Sequence, residues 1–170
     1  MRARVASLVV LLPALVWATT IAPHSLLERA RRSDRVAYVQ VLDRWSELSP
    51  DGHLLKTYTR LVVGEDVKGR GPSQLTLVQL GGRSGALEMK VPGDATFEPG
   101  ETAVVFLACR EPARCTLVAL GEGKLSVEGG AVRYRDLVRR AWVERPLGEL
   151  LAELRGATQQ ADPVVTRVER

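Results

Sequence analysis

Hydrophobic positions in this chain follow two periodicities, separated by breaks rich in glycine and proline. Ser25-Leu-Leu-Glu28 has the spacing of a capping box, with Ser25 as the N-cap and Glu28 at the third helical position. It predicts a short helix to about Arg32, with Leu26, Leu27 and Ala30 inward and Arg29, Arg31 and Arg32 in water. Cations in a last helical turn also suit the helix dipole. Val36 to Trp45, rich in Val, Tyr and Leu, reads as a strand. Pro50-Asp51-Gly52 then offers turn chemistry, and Leu54 to Val63 reads as a second strand. Val67-Lys-Gly-Arg-Gly-Pro72 breaks the pattern. From Ser73 to Leu80, Leu75, Leu77 and Gln79 alternate with Thr76, Val78 and Leu80.

Further along, Gly81-Gly82 and Gly85 mark a bend before a strand from Leu87 to Val91. Pro92-Gly93-Asp94 and Phe97-Glu-Pro-Gly-Glu101 lead into Thr102 to Ala108, whose hairpin partner is expected from Cys115 to Leu120. Gly129-Gly130 separates Lys124–Glu128 from Ala131–Arg135, a two-residue hairpin signal. Leu147, Leu150, Leu151 and Leu154 form one apolar stripe on a helix expected from Pro146 to Arg155, with Gly156 as its C-terminal cap. On so short a helix the stripe is expected to pack on its own domain. Six or seven strands with a short helix at each end predict a mainly β fold, a small closed or nearly closed barrel. The domain is expected to span residues 19–156, followed by a polar, fraying tail over 157–170.

The first residues set the compartment. Arg2 and Arg4 precede an apolar run from Val5 to Val16, and Val16-Trp17-Ala18 ends it with a small residue. That order is a secretory signal peptide, expected over residues 1–18 with cleavage after Ala18. The run is short for a bilayer span, which needs about 20 apolar residues, and Pro13 interrupts it. No cysteine lies nearby to carry a lipid. The expected location is therefore periplasmic or extracellular, with no stable membrane insertion after cleavage.

Export changes the charge. The full chain carries 24 basic and 20 acidic side chains, and loss of Arg2 and Arg4 leaves 22 against 20. A net charge of +2, with acids and bases interspersed, is no basic stripe of the kind that nucleic-acid binding needs. Nucleic acid is not an expected partner. Cys109 and Cys115 close a short polar loop between two apolar runs, so a disulfide across that hairpin is expected in an oxidising compartment. A metal site is not, because His24 and His53 have no partners at ligand spacing.

Catalytic signatures are weak. Gly81-Gly82-Arg83-Ser84-Gly85 loosely resembles a phosphate-cradling loop, without its Lys-Ser/Thr ending. Asp94, Glu98 and Glu101 cluster in one loop and suit a cation or sugar hydroxyls, or simply water. Trp45, at a strand end, and Trp142, before the last helix, are candidate binding platforms or lids on the core.

The ordered set Val67-Lys68-Gly69, Gly81-Gly82, Phe97-Glu-Pro-Gly-Glu101 and Gly123-Lys124-Leu125 resembles a group of uncharacterised exported bacterial proteins. Their layout is in turn similar to the netrin-like barrel of tissue inhibitors of metalloproteinases, a variant of the oligonucleotide/oligosaccharide-binding (OB) fold. The resemblance implies a barrel of that kind. It does not carry over the inhibitors' mechanism, since their zinc-chelating N-terminal cysteine has no counterpart before Cys109. The function expected is a non-catalytic exported binding module without cofactor. Its partner is a secreted or envelope protein such as a peptidase, or a glycan, and Trp45, Trp142, Glu101 and Arg83 are the candidate ligand surface. The alternatives are a carboxylate-dependent hydrolase or a structural envelope protein.

Overall fold

The computed structural model describes residues 24–136 and 138–159. The expected leader, its cleavage point and residues 160–170 of the expected tail lie outside the described residues. The elements run in the order α1 (Leu26–Arg32), β1 (Arg35–Leu48), β2 (Leu55–Lys68), β3 (Gln74–Leu80), β4 (Gly82–Ser84) and β5 (Leu87–Met89). Then follow β6 (Thr102–Glu111), β7 (Arg114–Leu117), β8 (Lys124–Glu128), β9 (Ala131–Asp136), β10 (Ala141–Pro146) and α2 (Leu147–Gln159).

Five strands close into a ring: β1 pairs with β2, β2 with β3, β3 with β7, β7 with β6, and β6 with β1. Every seam is antiparallel except β3–β7, which is parallel and only two residue pairs long. This is the small OB-like barrel expected from the sequence. Beyond it β6 also pairs with β8, which carries β9 and β10 outward as an extension of the same sheet. The β4–β5 hairpin is a separate two-stranded sheet.

Two cores share β1, β2 and, most evenly, β6. Val39, Val41, Leu61, Leu75, Leu77, Ala103, Val105 and Leu107 fill the barrel. Val104, Phe106, Leu125, Val127 and Val132 face the helices, against Leu150, Leu151 and Leu154 of α2. Residues 103 to 107 of β6 are all fully buried because successive side chains enter opposite cores. Each large apolar side chain buried in this way contributes about 1.5–3 kcal/mol. The leucine stripe of α2 thus packs on its own sheet.

Several sequence motifs are braces of this fold. The Ser25 hydroxyl accepts from the Glu28 N–H and caps α1. At the other end of α1, the Lys68 ammonium donates to the carbonyls of Ala30, Arg31 and Ser33 at 2.6–3.0 Å. Gly129 and Gly130 both have positive φ, as the β8–β9 hairpin requires. Phe97, fully buried, plugs the end of the barrel.

Other expectations are corrected. Pro146 ends a strand and does not open the helix. The helix begins at Leu147 and runs through Gly156 to Gln159, where Thr158 is buried and its hydroxyl donates to the Leu154 carbonyl. Residues 157–159 therefore belong to the helix and not to the tail. The described residues hold ten strands rather than six or seven. β10 escapes notice because only one of its faces is covered and it ends in Glu-Arg-Pro. The strand expected to reach Leu120 stops at Leu117, and a short 3-10 turn follows from Leu120, with Ala119 and Leu120 at positive φ. Arg29, expected in water, is buried. Its stem lies on the sheet, its guanidinium is 5.6 Å from the Phe106 ring centroid, and one N–H donates to the Glu122 carbonyl. Burial pulls its pKa down, against the upward pull of the Glu122 carboxylate.

Candidate functional site

A single irregularity in β1 sets the direction of every later side chain on that strand. Val41 pairs with Leu61, yet Asp43 pairs with Arg60, so Leu42 is an extra residue. Before it, Val39 and Val41 point into the barrel. After it the parity flips. Arg44 and Ser46 stand opposite Thr59 and Thr57 on the inner side, while Asp43, Trp45 and Glu47 stand opposite Arg60, Tyr58 and Lys56 on the outer wall.

Two rungs of that wall belong together. One runs Trp45–Tyr58–Val78 across β1, β2 and β3, and the next runs Asp43–Arg60–Thr76–Arg114 across β1, β2, β3 and β7. The Trp45 and Tyr58 rings stack, with centroids 5.5 Å apart and planes 19° from parallel. The Arg60 guanidinium lies over the Trp45 ring at 5.7 Å, and that of Arg114 lies over the Tyr58 ring at 5.6 Å. Asp43 pairs with Arg60 at 3.2 Å, and the Trp45 indole N–H donates to Glu47 at 2.9 Å. Both rings are half-buried and both arginines are exposed. None of the four belongs to either core.

The other candidate residues lie elsewhere. Arg83 is exposed on the β4–β5 hairpin, which packs against the inner side of β1 and β2: a Cβ on Gly82 would collide with the hydroxyls of Ser46 and Thr57. It lines a cleft of about 500 Å³ with Arg44, Gln79, Lys90 and Asp94. Trp142 is 66 % exposed on the sheet extension, under the Arg133 guanidinium at 5.1 Å and over a depression bordered by Glu128 and Glu144. Glu101 serves the fold: Oε1 takes the Lys124 ammonium at 2.5 Å and the Ser126 hydroxyl at 3.2 Å, and Oε2 takes the Glu98 N–H at 3.1 Å. Its two neighbours are engaged separately, Asp94 by the Gln79 amide and Glu98 by Arg44. The three loop acids therefore do not converge on one point. Among the described residues no cluster of His, Cys, Asp and Glu is arranged to hold a metal.

His53 is exposed on the β1–β2 turn, where its N–H donates to Asp51. The Ser49 hydroxyl, and after it this N–H, hold the Asp51 carboxyl below its ordinary range. Cys109 and Cys115 face one another across β6 and β7 with their sulfurs at disulfide distance, 2.07 Å.

Trp45 is thus the expected ligand residue that the fold joins to a second aromatic ring as well as to arginines. Tyr58, Arg60 and Arg114 are not legible as its partners from sequence, because their meeting depends on the bulge and on the β3–β7 seam. One local signal exists: Tyr58 is an aromatic on the polar side of an alternating strand, between Lys56 and Arg60. No protein-family model matches this chain, and no curated protein matches it either.

Proposed function

We propose that this protein is an exported, non-catalytic binding module that holds a glycan on the outer wall of its barrel. The observation that carries the reading is the Trp45–Tyr58 stack with a guanidinium over each ring, built outside both cores. A cross-strand aromatic pair on a solvent-facing wall exposes apolar surface that the fold does not use. Flanking arginines add donors that match sugar oxygens, and rings combined with N–H donors are the chemistry of carbohydrate recognition. The engagement of Asp94, Glu98 and Glu101 by separate partners supports binding over hydrolysis. Export is supported by the leader-like first residues together with the Cys109–Cys115 pair, which an oxidising compartment would maintain.

The test is binding of the purified, disulfide-bonded protein to a panel of neutral and acidic polysaccharides, read by affinity electrophoresis. Retardation by at least one polysaccharide, lost in Trp45→Ala and in Tyr58→Ala with the fold intact by circular dichroism, is expected. Mobility unaffected by every polysaccharide overturns the reading.

A further inference from the structure

We infer that the glycan is acidic, and that Arg114 is the residue that selects it by taking a carboxylate. The inference rests on the glycan reading above and names the class of ligand at that same wall.

The orientation of the stack comes first. Trp45 and Tyr58 turn one face toward each other, and each also has a guanidinium over it. This row therefore presents guanidinium N–H groups to water beside its rings. Ring edges carry the positive part of the aromatic quadrupole, and guanidinium edges carry the hydrogen-bond donors. A neutral sugar that lies flat on an aromatic makes no use of these cations. A chain bearing carboxylates needs the electropositive edges that are present.

The two arginines are not equivalent. Arg60 already has the Asp43 carboxylate at 3.2 Å. Arg114 is exposed, its guanidinium lies over the Tyr58 ring, and it has no acid within ion-pairing distance among the described residues. An exposed guanidinium with no acid partner keeps its fork of donors available, and that fork matches a carboxylate through two parallel hydrogen bonds. Lys56 stands on the same wall, two residues before Tyr58, as a further cation.

The spacing of charge separates an acidic polysaccharide from nucleic acid. Asp43 and Glu47 share the wall with Arg60, Lys56 and Arg114, so cations are few and acids lie among them. Duplex DNA brings one negative charge about every 1.7 Å and is held by many phosphate contacts. A polysaccharide with a carboxylate on some of its rings brings sparse charge, and that suits this sparse arrangement.

The experiment compares polygalacturonate, a neutral glucan and single-stranded DNA, using the wild-type protein, Arg114→Gln, Arg114→Lys and Trp45→Ala, at low and moderate salt. Expected is binding to polygalacturonate that weakens with salt, falls at least about tenfold in Arg114→Gln, and is only partly restored by Arg114→Lys. Equal binding to the neutral glucan and to polygalacturonate, with Arg114→Gln unchanged, overturns the acidic class while the glycan reading stands. Tighter binding to DNA than to polygalacturonate also overturns it. Binding to none of these, or to any other polysaccharide, removes the glycan reading itself. Arg114 is exposed, so its variants are expected to fold, and their melting curves check this.

Discussion

The Lys124 ammonium sits 4.6 Å from the centroid of the Phe97 ring and is paired with Glu101 at 2.5 Å. A cation on β8 thus holds down the plug of the barrel and anchors the loop that enters β6. Phe97→Ala leaves a hole at the barrel's end and is expected to cost about 3–5 kcal/mol, read from the urea midpoint at unchanged slope. A loss below about 1 kcal/mol would show that the barrel does not depend on its plug.

Closure of the ring at β3–β7 depends on a strand of four residues. The Thr76 N–H donates to the Ala113 carbonyl and the Val118 N–H to the Phe106 carbonyl, on either side of Cys115. Reduction, or Cys109→Ser with Cys115→Ser, is expected to lower stability by about 2 kcal/mol. Hydrogen exchange should quicken at Thr76 and Val118, with the β9–β10 amides little changed. Uniform exchange enhancement over the whole sheet would contradict a local effect.

The β1–β2 turn supplies a pH dependence. The folded state holds the Asp51 carboxyl below its ordinary value, first through the Ser49 hydroxyl and then through the His53 N–H. A carboxyl whose pKa is lowered by folding stabilises in its ionised form. The contribution is complete above the unfolded value of about 3.9 and is lost as pH falls through the lowered folded value. Asp51→Ala is expected to melt below the wild type at pH 7, with the two curves converging as pH falls below the range of the ordinary carboxyl. A gap that stays constant across this range would show that the carboxylate's charge plays no part.

Arg29 offers a contrast of substitutions. Its Nε has no hydrogen-bond partner among the described residues, and burial already disfavours its charge. Arg29→Met keeps the apolar stem against Phe106 and removes the desolvated cation. Its stability is expected to lie within about 1 kcal/mol of wild type or above it. Arg29→Ala, which also empties space beside Phe106, is expected to lose about 3 kcal/mol. Equal losses in the two variants would mean that the charge, not the packing, stabilises this corner.

What could be read in advance follows the range of the forces involved. The Ser25 cap, the Gly129-Gly130 hairpin, the alternation in β3 and the Cys109–Cys115 pairing all act within a few residues, and all are legible in the chain. The burial of Arg29 is not legible, because Phe106 and Glu122 lie far along the sequence. β10 is hidden because Trp142 and Glu144 face water while only Val143 and Arg145 turn inward, which dilutes any apolar signal. The helix passes Gly156 because the burial of Thr158, beyond it, outweighs the glycine's weak local preference against helix. For the candidate site, Trp45 stands out as a tryptophan near a strand end. Its orientation depends on the extra residue at Leu42, and no local pattern announces that a strand changes sides.

The double burial of β6 limits how this molecule can be divided. Val105 and Leu107 on one side and Val104 and Phe106 on the other hang from a single ribbon of backbone. A fragment ending at Gly123 would retain every strand of the ring and α1 but strip β8, β9 and α2 from one flank of that ribbon, exposing apolar surface prone to aggregate. The smaller barrel is therefore not expected to stand as a module by itself, and the ring, the sheet extension and both helices are expected to melt in one cooperative step.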